Sequence, residues 1–144
     1  MKRAGLILAV LVCATSCTVT PQQRPETFSV VEASIPEMQK ALEEKRITSK
    51  ELVRQYLTRI ALYEDKLNAA ITVNADALQE AEELDRERAQ GKIRSPLHGI
   101  PVALKDNIHT TNMPTTGDAL AFAGYIPPYE RFICPQRPFA CFSA

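Results

Sequence analysis

A lysine and an aspartate close a short apolar run: Ile100-Pro101-Val102-Ala103-Leu104 leads directly into Lys105-Asp106-Asn107. An ammonium at the mouth of a buried strand loses hydration. Burial disfavours its charged form and lowers its pKa by up to about 3–5 units when complete. A neutral lysine can then accept a proton as a general base. The plainer alternative is a solvated lysine at a strand end, with the neighbouring Asp106 as its salt partner. Two histidines flank the run, His98 and His109, and His109 is a candidate titrating partner. Near the carboxyl end, Cys134 and Cys141 are separated by six residues. They could form a disulfide in an oxidising compartment. They could also mimic a metal pair, although no histidine lies nearby.

The elements needed to position Lys105 carry clear start signals. Ser34-Ile35-Pro36-Glu37 is a capping-box pattern with proline in the first turn. Met38, Ala41 and Leu42 follow at helical spacing, which predicts a short helix ending near Lys45. Thr48-Ser49-Lys50-Glu51 is a second capping box, with Ile47 and Leu52 placed as a hydrophobic staple. Leu52, Val53, Tyr56, Leu57 and Ile60 form one apolar stripe, opposite Lys50, Arg54, Thr58 and Arg59. Residues 68–73 (NAAITV) are β-prone. Asp76 is placed to cap a third helix, with Gln79 three residues on. In that helix Ala77, Leu78, Ala81 and Leu84 make a narrow stripe, and the charges around them read as a solvated face. Gly91 is its natural C′ residue. Residues 100–104 lack alternation and read as a buried strand, with Pro101 confined to its beginning or to an edge. Asp106-Asn107 make a turn, and Thr115-Thr116-Gly117-Asp118 a loop. Helices interleaved with strands predict an α/β fold.

The amino end reads as an export signal. Lys2 and Arg3 precede an uncharged run, residues 4–14, too short to span a bilayer. Ala14-Thr15-Ser16-Cys17 resembles a bacterial lipobox, in which the chain is cut before the cysteine and the cysteine carries lipid. The expectation is a signal peptide over residues 1–16, a lipidated Cys17, and a polar tether over residues 17–33. Ordinary secretion with an incidental Cys17 is the competing reading. The chain has 144 residues and equal numbers of basic and acidic side chains, 17 each. That balance argues against a polybasic nucleic-acid binder. Cleavage would leave 15 basic against 17 acidic side chains.

Taken together, the run Ser95-Pro96-Leu97-His98-Gly99-Ile100-Pro101-Val102-Ala103-Leu104-Lys105-Asp106-Asn107-Ile108 resembles the amidase signature family. The likeness begins near Ile35. It runs through Ile47-Thr48-Ser49-Lys50-Glu51-Leu52 and Met113-Pro114-Thr115-Thr116-Gly117 to Pro127-Pro128-Tyr129-Glu130. The resemblance implies the N-terminal part of that α/β fold, a mixed sheet flanked by helices, over residues 34–130. It implies hydrolysis of amide C–N bonds by a Ser–cis-Ser–Lys triad, with Lys105 as the catalytic lysine. The substrate would be a small amide, and no metal or organic cofactor is implied. His98 belongs to the family's P-L-H-G-I-P pattern, which implies loop packing rather than catalysis.

The chain departs from the family after Glu130. Residues 131–144 (RFICPQRPFACFSA) contain no acid and no helical period, and after Lys105 the only serine is Ser143. Both serines of the triad therefore lack counterparts. Residues 131–144 read as an aberrant tail that has slipped reading frame near Glu130 to Phe132. The expected protein is an exported, membrane-anchored amidase-family hydrolase, represented by a stretch that stops before its catalytic serines and is inactive alone. The alternatives are a small non-catalytic lipoprotein that binds a partner, and a non-functional truncated product.

Overall fold

The computed structural model describes residues 28–130 and 141–143, the latter by their backbone only. The expected signal peptide and the lipidation site Cys17 lie outside the described residues, as does Cys134. Within them the order is α1 (Ile35–Glu43), α2 (Ser49–Leu67), β1 (Thr72–Val73), α3 (Ala77–Ala89), β2 (Val102–Leu104), a 3₁₀ turn (Leu120–Phe122) and β3 (Cys141–Ser143).

Helix α1 starts as its residues dictate. Ser34 Oγ accepts from the Glu37 N–H at 3.4 Å, and the Glu37 carboxylate accepts from the Ser34 N–H at 2.7 Å. That reciprocal pair satisfies two donors left over at the helix start. Helix α2 begins differently from the expected box. Thr48 Oγ1 accepts from the Glu51 N–H at 3.1 Å, but the Glu51 side chain pairs with Arg54. A distant carboxylate serves the first turn as well: Asp85 accepts from the N–H groups of Ser49 (2.7 Å), 36 residues away, and Lys50 (3.0 Å). A carboxylate there also meets the positive end of the helix dipole. Asp85 is thus no mere member of a solvated face; it ties α3 to the start of α2. Asn68, in the left-handed region at φ 47°, ends α2.

Helix α3 corrects another expectation. Asp76 makes no side-chain cap; Asn74 Oδ1 instead accepts from the Asp76 N–H at 3.0 Å. Asn74 is buried and also donates to Glu80, so the turn is organised one step earlier than the capping pattern suggests. Gly91, at φ +78°, follows the helix as expected.

The apolar stripe of α2 divides between two clusters. Leu52 joins Val30, Met38, Ala41, Leu42, Ile47 and Ile100, whereas Val53 packs on Ala77 and Ala81 of α3. Tyr56 touches both clusters. Ile47 and Leu52 sit together as the staple requires. The packed body begins before Ser34, within the expected tether. Phe28 and Ala33 lie against the first cluster, and Gln55 of α2 bonds both the Val30 N–H (3.1 Å) and the Phe28 carbonyl (2.9 Å).

The sheet is mixed, in the order β1-β3-β2. Strand β3 runs antiparallel to β1 and parallel to β2. Both early strands are shorter than the β-prone runs that contain them. Strand β2 is only half-covered: Leu104 is buried, Val102 partly so, and Ala103 is exposed. The uninterrupted apolar run therefore does not mark a strand covered on both faces here. Among the described residues, no helix is long and apolar enough to cross a membrane.

Candidate active site

Lys105 stands at the carboxyl end of β2, where its backbone leaves the sheet. Directly before the strand, His98 and Gly99 fix the approach. His98 is 1% exposed. Its Nε2 lies 3.0 Å from the Leu84 carbonyl, and its Nδ1 faces the Arg94 N–H at 3.4 Å. Arg88 donates to the His98 carbonyl at 2.6 Å. The ring thus splints the segment before β2 to α3, in agreement with a packing role. Gly99 has φ +81°, and a Cβ there would lie 2.0 Å from the Ser49 side-chain oxygen. Only glycine lets the chain pass so close to the start of α2 in that backbone region.

The residue after the lysine is held by the loop that follows. Asp106 is 2% exposed. Its carboxylate accepts from the Thr116 N–H at 3.0 Å and from the Thr116 hydroxyl, and further N–H donation comes from Gly117 and Asp118. Gly117 (φ 57°) and Asp118 (φ 63°) are both left-handed. Successive N–H groups in such turns converge into an anion-binding concavity. Burial alone pushes the Asp106 carboxyl upward. The hydrogen bonds from the Thr116 side chain and backbone, and from Asp118 and Gly117, outweigh it and hold the carboxyl below its ordinary value.

The partner of Lys105 is Asp118, brought in by that same loop. Lys105 Nζ lies 3.5 Å from Asp118 Oδ2, and the side chains are 58% and 70% exposed. The ion pair of Lys105 is therefore with Asp118 and not with the neighbouring Asp106 that the plainer alternative named. Beyond the end of β2, Lys105 is exposed and Asp106 is buried, and the loop supplies the carboxylate that faces the lysine. The lysine is wet in this part of the fold rather than desolvated.

His109 does not contact the lysine through any described bond. It packs edge-on against Tyr129, with ring centroids 5.2 Å apart, and its Nδ1 is buried without a hydrogen-bond partner. It lines a cleft of about 330 Å³ with Asn107, Thr116, Gly117, Phe122 and Tyr125. Spacing concealed that Asp118 would face Lys105 and that Asp106 would be buried under the loop. The signals available were the Asp-Asn turn and the Thr-Thr-Gly-Asp loop, two features without an evident reason to meet. Among the described residues, no group of three or more His, Cys, Asp or Glu side chains is arranged to hold a metal.

These features define an α/β segment that presents a lysine at the end of a strand and braces it with a buried aspartate and a polar loop. Comparison with known proteins gives that segment its family. The Amidase family model matches residues 51–134, more than half of the sequence. A Schizosaccharomyces pombe protein named as an amidase is 36% identical over 122 residues, covering 84% of this chain and 21% of its own length. An Arabidopsis thaliana protein, also named as an amidase, is 45% identical over 103 residues, covering 69% and 20% respectively. Among solved structures, native peptide amidase from Stenotrophomonas maltophilia superposes with a TM-score of 0.71 at 37% identity, over 78% of this chain and 24% of that one. The chain belongs to the amidase family, and its fold is part of the amidase signature fold. It spans about a fifth of the length of the curated relatives it matches.

Proposed function

We propose that the protein to which this stretch belongs hydrolyses a small amide, with Lys105 as the base of a Ser–cis-Ser–Lys triad. The observation that carries the reading is the position of Lys105. It leaves the end of β2 inside the matched segment, beside a loop fastened by the buried Asp106. In this mechanism the neutral lysine takes a proton through the cis-serine, and the second serine attacks the amide carbonyl. The resulting acyl-enzyme is cleaved by water, and backbone N–H groups stabilise the oxyanion. Lys105 is exposed here, so its desolvation would depend on residues that cover this face in the complete protein.

The 144 residues contain no Gly/Ser-rich segment after Lys105, so this stretch is proposed to be inactive by itself. The change of frame near Glu130 to Phe132 is part of the same reading. An open frame encoding such a segment beyond codon 130 supports it; the lack of one removes it. We further propose export, removal of residues 1–16, lipid on Cys17 and attachment to a membrane facing the periplasm or cell exterior. No nucleic-acid partner is proposed. Metabolic labelling with palmitate should mark the chain and fail in Cys17→Ser.

The catalytic reading is tested on an in-frame protein that includes the Gly/Ser-rich segment. It should release ammonia or amine from simple amides. Lys105→Ala should lower kcat by about 10²–10⁴-fold, the usual contribution of a positioned base, without altering the far-ultraviolet circular dichroism. Retained activity in that variant rejects the role given to Lys105.

A further inference from the structure

The sheet is held together entirely through the tail. Strands β1 and β2 do not pair with each other; each pairs with β3, which lies between them. Phe142 is the centre of the register, opposite Val73 on one side and Ala103 on the other. Neighbouring strands are about 4.8 Å apart, so β1 and β2 face each other across a slot of about 10 Å. Both walls belong to the segment that matches the amidase family, which ends at residue 134. The occupant, Cys141–Ser143, lies beyond that match. Walls and occupant thus lie on opposite sides of the end of that match, and the walls present unpaired backbone donors and acceptors whenever the occupant leaves. Ile71 and Val73, beside the slot, remain substantially exposed.

We propose that the space between β1 and β2 is an acceptor site for an extended peptide strand, and that the chain fills it in cis with its own Cys141–Ser143. Recognition is through the backbone: an inserted strand must satisfy a parallel ladder with β2 and an antiparallel ladder with β1 at once. In strand addition the main-chain hydrogen bonds supply affinity and pockets for alternate side chains supply specificity, so the two backbone ladders are what hold the occupant in the slot. A three-residue strand forms few hydrogen bonds, so the occupant is exchangeable. The site is independent of the hydrolytic reading and stands or falls separately from it.

The test is amide hydrogen exchange on the full chain under reducing conditions. The N–H groups of residues 72–73 and 102–104 that face β3 should exchange at least tenfold more slowly than in an unstructured peptide. Phe142→Pro removes a ladder donor from a central strand, where proline is not tolerated. It should abolish protection in both β1 and β2 and leave α2 and α3 protected. Adding a synthetic peptide of residues 138–144 (PFACFSA) should restore protection to the variant and bind it saturably. Unchanged protection of β1 and β2 in the variant overturns the proposal, as does a peptide that neither binds nor restores it. Loss of protection in α2 and α3 as well overturns a separable acceptor site. A full chain whose β1 and β2 protection appears only on dimerisation overturns the cis occupancy.

Discussion

The helical part of the molecule and the strand–loop part are built on different physics. In α1, α2 and α3 the chain is held mainly by apolar side chains at helical spacing, with local caps at Ser34 and Thr48. Leu52, Val53 and Ala41 are fully buried, and none carries a polar atom beyond its backbone. From His98 onward the share of buried polar groups rises: His98, Asp106, Thr110 and Thr115 sit beside Ile100, Leu104 and Met113, whereas in the earlier part Ser49 and Asn74 sit among ten buried apolar residues. Apolar packing tolerates any approach that fills the volume, whereas a buried carboxylate must find its donors or destabilise the fold. The first part is therefore a scaffold, and the second a geometry set by hydrogen bonds around Lys105.

Breaking the scaffold should have the largest effect. Leu52→Ala empties the centre of the cluster that joins α1, α2 and Ile100, and about 2–5 kcal/mol of stability should be lost. Urea unfolding should show the midpoint falling with far-ultraviolet and loop probes together. A loop probe that stays put would show that the two parts are not coupled through Ile100.

The strand–loop part should respond to acid where the scaffold does not. Because the Asp106 carboxyl is held below its ordinary value in the fold, its contribution is complete above the unfolded value of about 3.9 and is lost as pH falls through the lower folded value. Hydrogen-exchange protection at Thr116 and Gly117 should hold from neutral pH to about pH 4 and then decline, ahead of α2. Asp106→Asn replaces an acceptor-only group with one that must also place an NH₂. It should lower stability by about 1–3 kcal/mol, the range for leaving buried partners unsatisfied, and remove this acid step. Persistence of the step in the variant would assign it to another group.

The smallest effect separates the lysine from its present partner. Asp118→Gly relieves a left-handed non-glycine residue and deletes an exposed ion pair. Such pairs contribute about 0–1 kcal/mol, so stability should change by less than about 1 kcal/mol. Lys105 should become more reactive toward an amine-acylating reagent, read by mass spectrometry of the labelled peptide. Unaltered labelling would show that Asp118 does not restrain the lysine.

How far these regions could be read in advance follows the same division. Ser34, Thr48 and Gly91 act where their local patterns place them, because caps are satisfied within one turn of chain. The stripe of α2 was legible for the same reason, although nothing local announced that Leu52 and Val53 would enter different clusters. Asp85 looked like one charge among many because its partners lie 36 residues away. Lys105 was marked by its place after an apolar run and by likeness to a family, while its pairing with Asp118 depended on Asp106 drawing the loop back.

The sequence by itself therefore determined the three helices, the caps at Ser34 and Thr48, and the family, since propensity, periodicity and ordered motifs act over short stretches. Tertiary structure decided which carboxylate faces that lysine, how α2 is capped from α3, and that Cys141–Ser143 lies between β1 and β2. Those outcomes rest on buried donors and acceptors, and on strand edges, finding partners far away along the chain. No local pattern encodes such partners.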